Sequence, residues 1–174
     1  MAGTYNLGNT GIQGFDTVMA NLNKEIEAIK GRTMKGMIKA AALIRKDMDK
    51  TPPLIPVDKG NLRASWFVVT AKGLQSARPA FKALDTPTKT ALLNSTYDST
   101  VAEAQGVASA STKDVPFLVM GFGANYAMPV HEMYGKGSVN WQRPNSGPKF
   151  FEASIKRNKD KALKTIADDA QINP

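Results

Sequence analysis

The only histidine in the chain, His131, is followed directly by Glu132, the pair that opens the helical motif of zinc hydrolases. In that motif a second histidine four positions on completes the metal-binding face and the glutamate serves as general base. Here that position is Gly135, so the second ligand is missing, and one imidazole without cysteine or clustered carboxylates makes a poor metal site. A serine nucleophile would need His131 as its base, and no G-x-S-x-G elbow accompanies it. Asp47 with Asp49, and Asp168 with Asp169, could divide acid and base roles. Lysines and arginines at helical spacing beside them make ordinary charge pairs the simpler reading. Gly121-Phe122-Gly123 has Tyr126 where a dinucleotide cradle needs its third glycine, and Gly135-Lys136-Gly137-Ser138 lacks P-loop spacing. The expectation is a protein with no enzymatic activity, no cofactor and no resident metal; a small hydrolase using His131 with a serine is the rival.

Binding chemistry is better represented. Trp66, Phe67, Trp141 and Arg143 offer aromatic and cationic groups suited to single-stranded nucleic acid. Trp66 and Phe67 lie in an alternating run where packing explains them. Trp141 stands in a loop beside Gln142, Arg143 and Pro144. A large aromatic there is either tucked onto its own domain or buried against another chain, and Trp141 with Arg143 is read as a candidate interface. Net charge is +8, with eight Lys/Arg against four acids between Lys24 and Lys50. Such an excess suits nucleic acid or an acidic protein surface, or is simply a solvated face.

The elements that must position these residues follow from pattern. With 174 residues and no cysteine, one domain without disulfides is expected. No secretion signal or membrane-length apolar run is present, so a soluble protein made in the cytoplasm is expected. Residues 1–14, rich in Gly, Asn and Thr, read as a flexible arm, and residues 15–174 as a single α+β domain with a long insertion at 71–114. Phe15, Val18, Leu22, Ile26, Ile29, Thr33, Met37, Ala40, Ile44 and Met48 form one helical stripe, with Asp16 as N-cap and Gly31 and Gly36 as its weak points. Pro52, Pro53 and Pro56 stop that helix. After Gly60 the alternation from Leu62 to Val69 predicts a strand. Within the insertion, short helical turns are expected at 79–84 and 101–108. VPFLVMGFG at 115–123 reads as a buried strand and NYAMPVHEM at 125–133 as another. Residues 134–147 read as a loop, and a last helix begins with Pro148 at its first position. The order implies an antiparallel sheet of about three to five strands packed against a long N-terminal helix and a C-terminal helix, both on one face.

Three separated segments carry a family resemblance. Pro56-Val57-Asp58-Lys59-Gly60-Asn61-Leu62-Arg63-Ala64-Ser65 follows the long helix; Tyr126-Ala127-Met128-Pro129-Val130-His131-Glu132 precedes Gly135; and Pro148-Lys149-Phe150-Phe151-Glu152-Ala153 opens the last helix. Their order resembles the tail-completion or neck proteins of tailed bacteriophages, known as a phage tail component of lambda-like and HK97-like siphophages. The matching positions are Pro56, Gly60, Leu62, Arg63, Ser65, Tyr126, Ala127, Glu132, Gly135, Phe150 and Phe151. The likeness covers residues 15–70 and 115–170; the insertion, Pro129 and the loop before Pro148 depart from the pattern. It implies a virion structural protein of the head–tail junction, forming a homo-oligomeric, sixfold ring. Its neighbours would be a head-completion or connector protein and the tail terminator or tail tube, with encapsidated DNA in the channel. The alternative is a basic nucleic-acid-binding domain using the long helix.

Overall fold

The computed structural model describes residues 15–111, 115–133 and 141–171. The long apolar stripe forms one uninterrupted helix, α1 (Phe15–Asp47). Asp16 lies inside its first turn rather than at the N-cap, where its charge still complements the helix dipole. Gly36, a weak point for helix propensity, is a packing requirement. A Cβ there would lie 2.9 Å from the Cα of Ile166 in the antiparallel last helix, α5 (Phe150–Ala170). The two helices form one layer against a three-stranded antiparallel sheet.

The sheet is ordered β2-β1-β3, with β1 (Trp66–Thr70) between the short β2 (Gly73–Leu74) and β3 (Leu118–Phe122). All five residues of β1 are buried, because both faces are covered. Trp66 and Val68 join Ala41, Ile44, Met48 and Phe150 on the α1/α5 side. Phe67 and Val69 pack with Tyr97 and Ala104 on the opposite side. The strand expected in 115–123 is found at Leu118–Phe122, but as an edge strand it is half-buried throughout rather than well buried.

Four expectations are corrected. The insertion carries a 25-residue helix, α3 (Pro87–Ser111), which covers the second face of the sheet. Residues 79–84 hold no helix, and 101–108 is only part of α3. Its buried stripe is Leu93, Tyr97, Ala104 and Ala108, and two alanines give little hydrophobic signal. Their small side chains allow close packing instead. Secondly, the strand does not begin at Leu62. Gly60 sits at φ 87° and is followed by one helical turn, α2 (Asn61–Ala64), so β1 starts at Trp66 and Ala64 is exposed. Thirdly, NYAMPVHEM forms a short helix, α4 (Ala127–His131), not a strand. Pro129 is tolerated there because first-turn N–H groups have no partner within the helix. Finally, α5 begins at Phe150, since Lys149 has φ 57° and cannot continue a helix back to Pro148. The expected arm at 1–14 and the first half of the 134–147 loop, Gly135 included, lie outside the described residues.

Candidate functional site

Prolines at 52, 53 and 56 leave the corner after α1 with carbonyls that no backbone N–H can reach, and arginines take them. Arg143 donates to the carbonyls of Asp49 at 2.8 Å and Ile55 at 3.2 Å. Arg157, two turns into α5, donates to those of Thr51 at 3.1 Å and Pro52 at 3.0 Å, and to the Asp47 carboxylate at 2.6 Å. The backbone of Leu54 pairs with the loop, receiving Gly147 N–H and donating to Asn145 O at 2.9 Å.

The Asp49 carboxylate is the centre of this corner. It lies 2.7 Å from Arg45, 2.9 Å from Arg63 and 3.5 Å from Arg143. Burial acts to raise its pKa, but the hydrogen bond from Arg63 and the charges of Arg45 and Arg63 more than offset it, holding the carboxyl below its ordinary value. Burial likewise pulls Arg45 down, against the Asp49 charge. Three guanidinium groups around one carboxylate leave a local positive excess. Arg63 and Arg143, singled out separately in the sequence, meet here; Asp49, their common partner, was considered only as one of a carboxylate pair. Asp47 and Asp49 are each engaged by arginine, Asp168 by Lys164 and Asp169 by Lys39. The helical-spacing reading holds for Asp49 with Arg45 and Asp168 with Lys164, whereas Asp47 and Asp169 pair between α1 and α5, which no local spacing shows.

Beside the corner lies an open pocket of about 440 Å³ between the Pro56–Leu62 turn and α4. Pro56, Gly60, Leu62, Tyr126, Val130 and Trp141 line it, so residues of the first two motifs and the candidate interface tryptophan share one concavity. Tyr126 and Val130, four apart, reach it together because this segment is helical. Trp141 is half-buried, forming a wall rather than entering the core. Burial, then the nearby Asp58 carboxylate, raise the pKa of the Tyr126 phenol against a hydrogen bond from the Leu62 backbone, so it stays neutral. Indole, phenol, Asp58 and Lys59 give the pocket the chemistry of a recognition surface.

The remaining motif residues are structural. Ser65 is fully buried, its hydroxyl donating to Leu62 O at 2.8 Å and its main-chain carbonyl accepting from Gly123 N–H at 2.9 Å. Glu132 pairs with Lys149, and Lys149 N–H donates to His131 O at 2.9 Å, binding α4 to the start of α5. The hydrogen bond from Lys149, then that from His131, holds Glu132 below its ordinary pKa. Phe150 is buried, while Phe151 meets Trp66 edge to face at 5.7 Å. Ala127 packs at the margin of the core. His131 points away from the Trp141 pocket, its Nδ1 2.8 Å from Glu132 and its ring against Phe150 at 5.1 Å. Among the described residues, no serine lines the cavity it faces. Among the described residues, no group of three His, Cys, Asp or Glu is placed to hold a metal ion.

Asn61 is the residue that sequence reading missed. Buried at the start of α2, it donates to Lys82 O at 2.9 Å and accepts from Lys82 N–H at 2.8 Å, tying the insertion to the corner. Its only local signal is its position after the left-handed Gly60. Comparison with known proteins adds no neighbour: no protein-family model, curated protein or solved structure matches the chain.

Proposed function

We propose that this chain is a non-enzymatic structural subunit of a bacteriophage head–tail junction, a tail-completion or adaptor protein that assembles as a ring between the head connector and the tail. The supporting observation is convergence. The segments on which the family resemblance rests, 56–65, 126–132 and 148–153, adjoin one another around a rigid corner and an open aromatic-walled pocket. A subunit that transmits position between two larger assemblies needs such a stiff corner, and the pocket with Trp141 gives it a place to receive a side chain or loop of a head or tail neighbour. Arg45, Arg63, Arg143 and Arg157 are engaged within the fold, which leaves a nucleic-acid reading of the basic excess to the lysines. Among the described residues no helix is long and apolar enough to cross a membrane.

The test is immunogold labelling of intact virions with antibody to this chain. Label at one site between head and tail is expected. Label elsewhere, or none on particles, overturns the proposal.

A further inference from the structure

Packing of α1 against α5 leaves a hollow of about 440 Å³ at the corner end of the pair, lined only by these two helices and the turn that closes α1. Lys46 and Lys50 line it from one side and Lys161 and Asn158 from the other; Ala42 and Leu43 are its apolar part. All three lysines are exposed, and none has an acidic partner among the described residues. The nearby carboxylates are already engaged. Asp47, which lines the hollow, is held by Arg157 at 2.6 Å, and Asp49 by Arg45, Arg63 and Arg143. Asp160 precedes Lys161 in sequence but lies roughly 100° round α5 and does not line the hollow. The positive line continues along α1. Lys39 and Lys35 precede Lys46 by seven and eleven residues, about two and three whole turns, so all three stand on one side of the helix. Lys39 answers Asp169, while Lys35 has no acidic partner among the described residues. Arginines and acids are thus drawn into the corner, and uncompensated lysines remain outside on a chain of net charge +8.

We propose that this lysine-lined face of α1 and α5 binds the phosphate backbone of duplex DNA without reading its sequence. The occupant follows from what the face lacks as well as from its charge. Single-strand binders stack bases on aromatic rings, and among the described residues no aromatic lines the hollow. A protein partner takes its anchor from a central aromatic or arginine, and neither stands there. Lysine is a point charge on a flexible stem, suited to phosphates without fixed geometry, and duplex DNA presents about one such charge per 1.7 Å of its axis. This face is separate from the Trp141 pocket, and its charge is the same whether or not the chain sits in a virion.

The test is fluorescence anisotropy of a labelled mixed-sequence duplex of about 24 base pairs, titrated with the full chain from about 20 to 200 mM salt. Affinity is expected to fall with salt at a log–log slope of about −3 to −4, the value for Lys35, Lys46, Lys50 and Lys161 each neutralising one phosphate. A duplex of shuffled sequence is expected to bind equally. Lys46→Gln, Lys50→Gln and Lys161→Gln combined are expected to lower affinity about tenfold or more and to bring the slope to about −1. The three matching Lys→Arg changes are expected to keep both, which separates lost charge from a disturbed fold. Lys72→Gln, Lys82→Gln and Lys89→Gln combined lower net charge by the same amount at exposed positions outside the hollow, and are expected to leave the slope unchanged. No binding at the lowest salt overturns the proposal, as does an equal loss in the two triple Lys→Gln variants. Oligo-dT or polyglutamate binding as tightly as the duplex overturns the choice of duplex DNA. None of these results bears on the label at the neck, which judges the virion reading separately.

Discussion

Arg143 donates to the main-chain carbonyl of Asp49 at 2.8 Å and lies 3.5 Å from its carboxylate, joining the end of α1 to a loop 94 residues later. Arg45 and Arg63 reach the same carboxylate. Removing Asp49 would leave three guanidinium groups facing each other. Asp49→Ala should therefore cost about 2–4 kcal/mol, less than a fully buried pair because the site is partly exposed. Arg143→Lys should recover little of an Arg143→Ala loss, since one ammonium cannot span two carbonyls in the same geometry. Urea unfolding of the three variants measures this.

Acid should weaken the same corner. The Asp47 and Asp49 carboxyls have pKa values below their ordinary ones in the folded chain. A depressed folded pKa means stabilisation that is complete above the unfolded value of about 3.9 and is lost as pH falls through the folded value. Unfolding free energy should therefore be level near neutrality and drop below about pH 4. Asp47→Asn and Asp49→Asn should each make that drop shallower; an equally steep acid limb in both would contradict the assignment.

Two glycines of α1 should respond in opposite directions. A Cβ at Gly36 meets the Ile166 backbone, whereas one at Gly31 meets nothing within 4 Å. Gly36→Ala should destabilise by about 1–3 kcal/mol, by forcing α1 and α5 apart. Gly31→Ala should stabilise by up to about 1 kcal/mol through helix propensity alone. Thermal melts of the pair distinguish a crossing point from a helix-forming effect.

Asn61→Ala should release the insertion. It removes a donor and an acceptor to Lys82, and about 1–3 kcal/mol should be lost. Hydrogen exchange should rise first around Lys82 and the residues leading to α3, with α1 and α5 protected as before.

The two tryptophans should be separable by quenching. Trp66 is buried and meets Phe122 edge to face at 5.2 Å, while Trp141 is half-buried in the pocket wall. Acrylamide should quench the Trp66→Phe protein strongly and the Trp141→Phe protein weakly. If the pocket receives a neighbour, quenching of Trp141 should fall on assembly.

What the sequence determined by itself was local. The spacing of Ala40, Ile44 and Met48 is enough for a long amphipathic helix, and missing proline N–H groups are enough to end it. Four apolar residues from Trp66 and the run at Leu118–Phe122 suffice for two strands, the first buried and the second half-buried. Other features had no local signature. Ala104 and Ala108 bury too little surface to announce α3, and Tyr126-Ala127-Met128-Pro129-Val130 alternates well enough to pass for a strand until the corner beside it is placed. Tertiary structure decided that α3 covers the second face of the sheet, that Gly36 is a crossing point, and that Arg45, Arg63 and Arg143 share Asp49. Each depends on partners brought together by folding, and a charge or a small side chain does not record in its own neighbourhood which distant group it will meet.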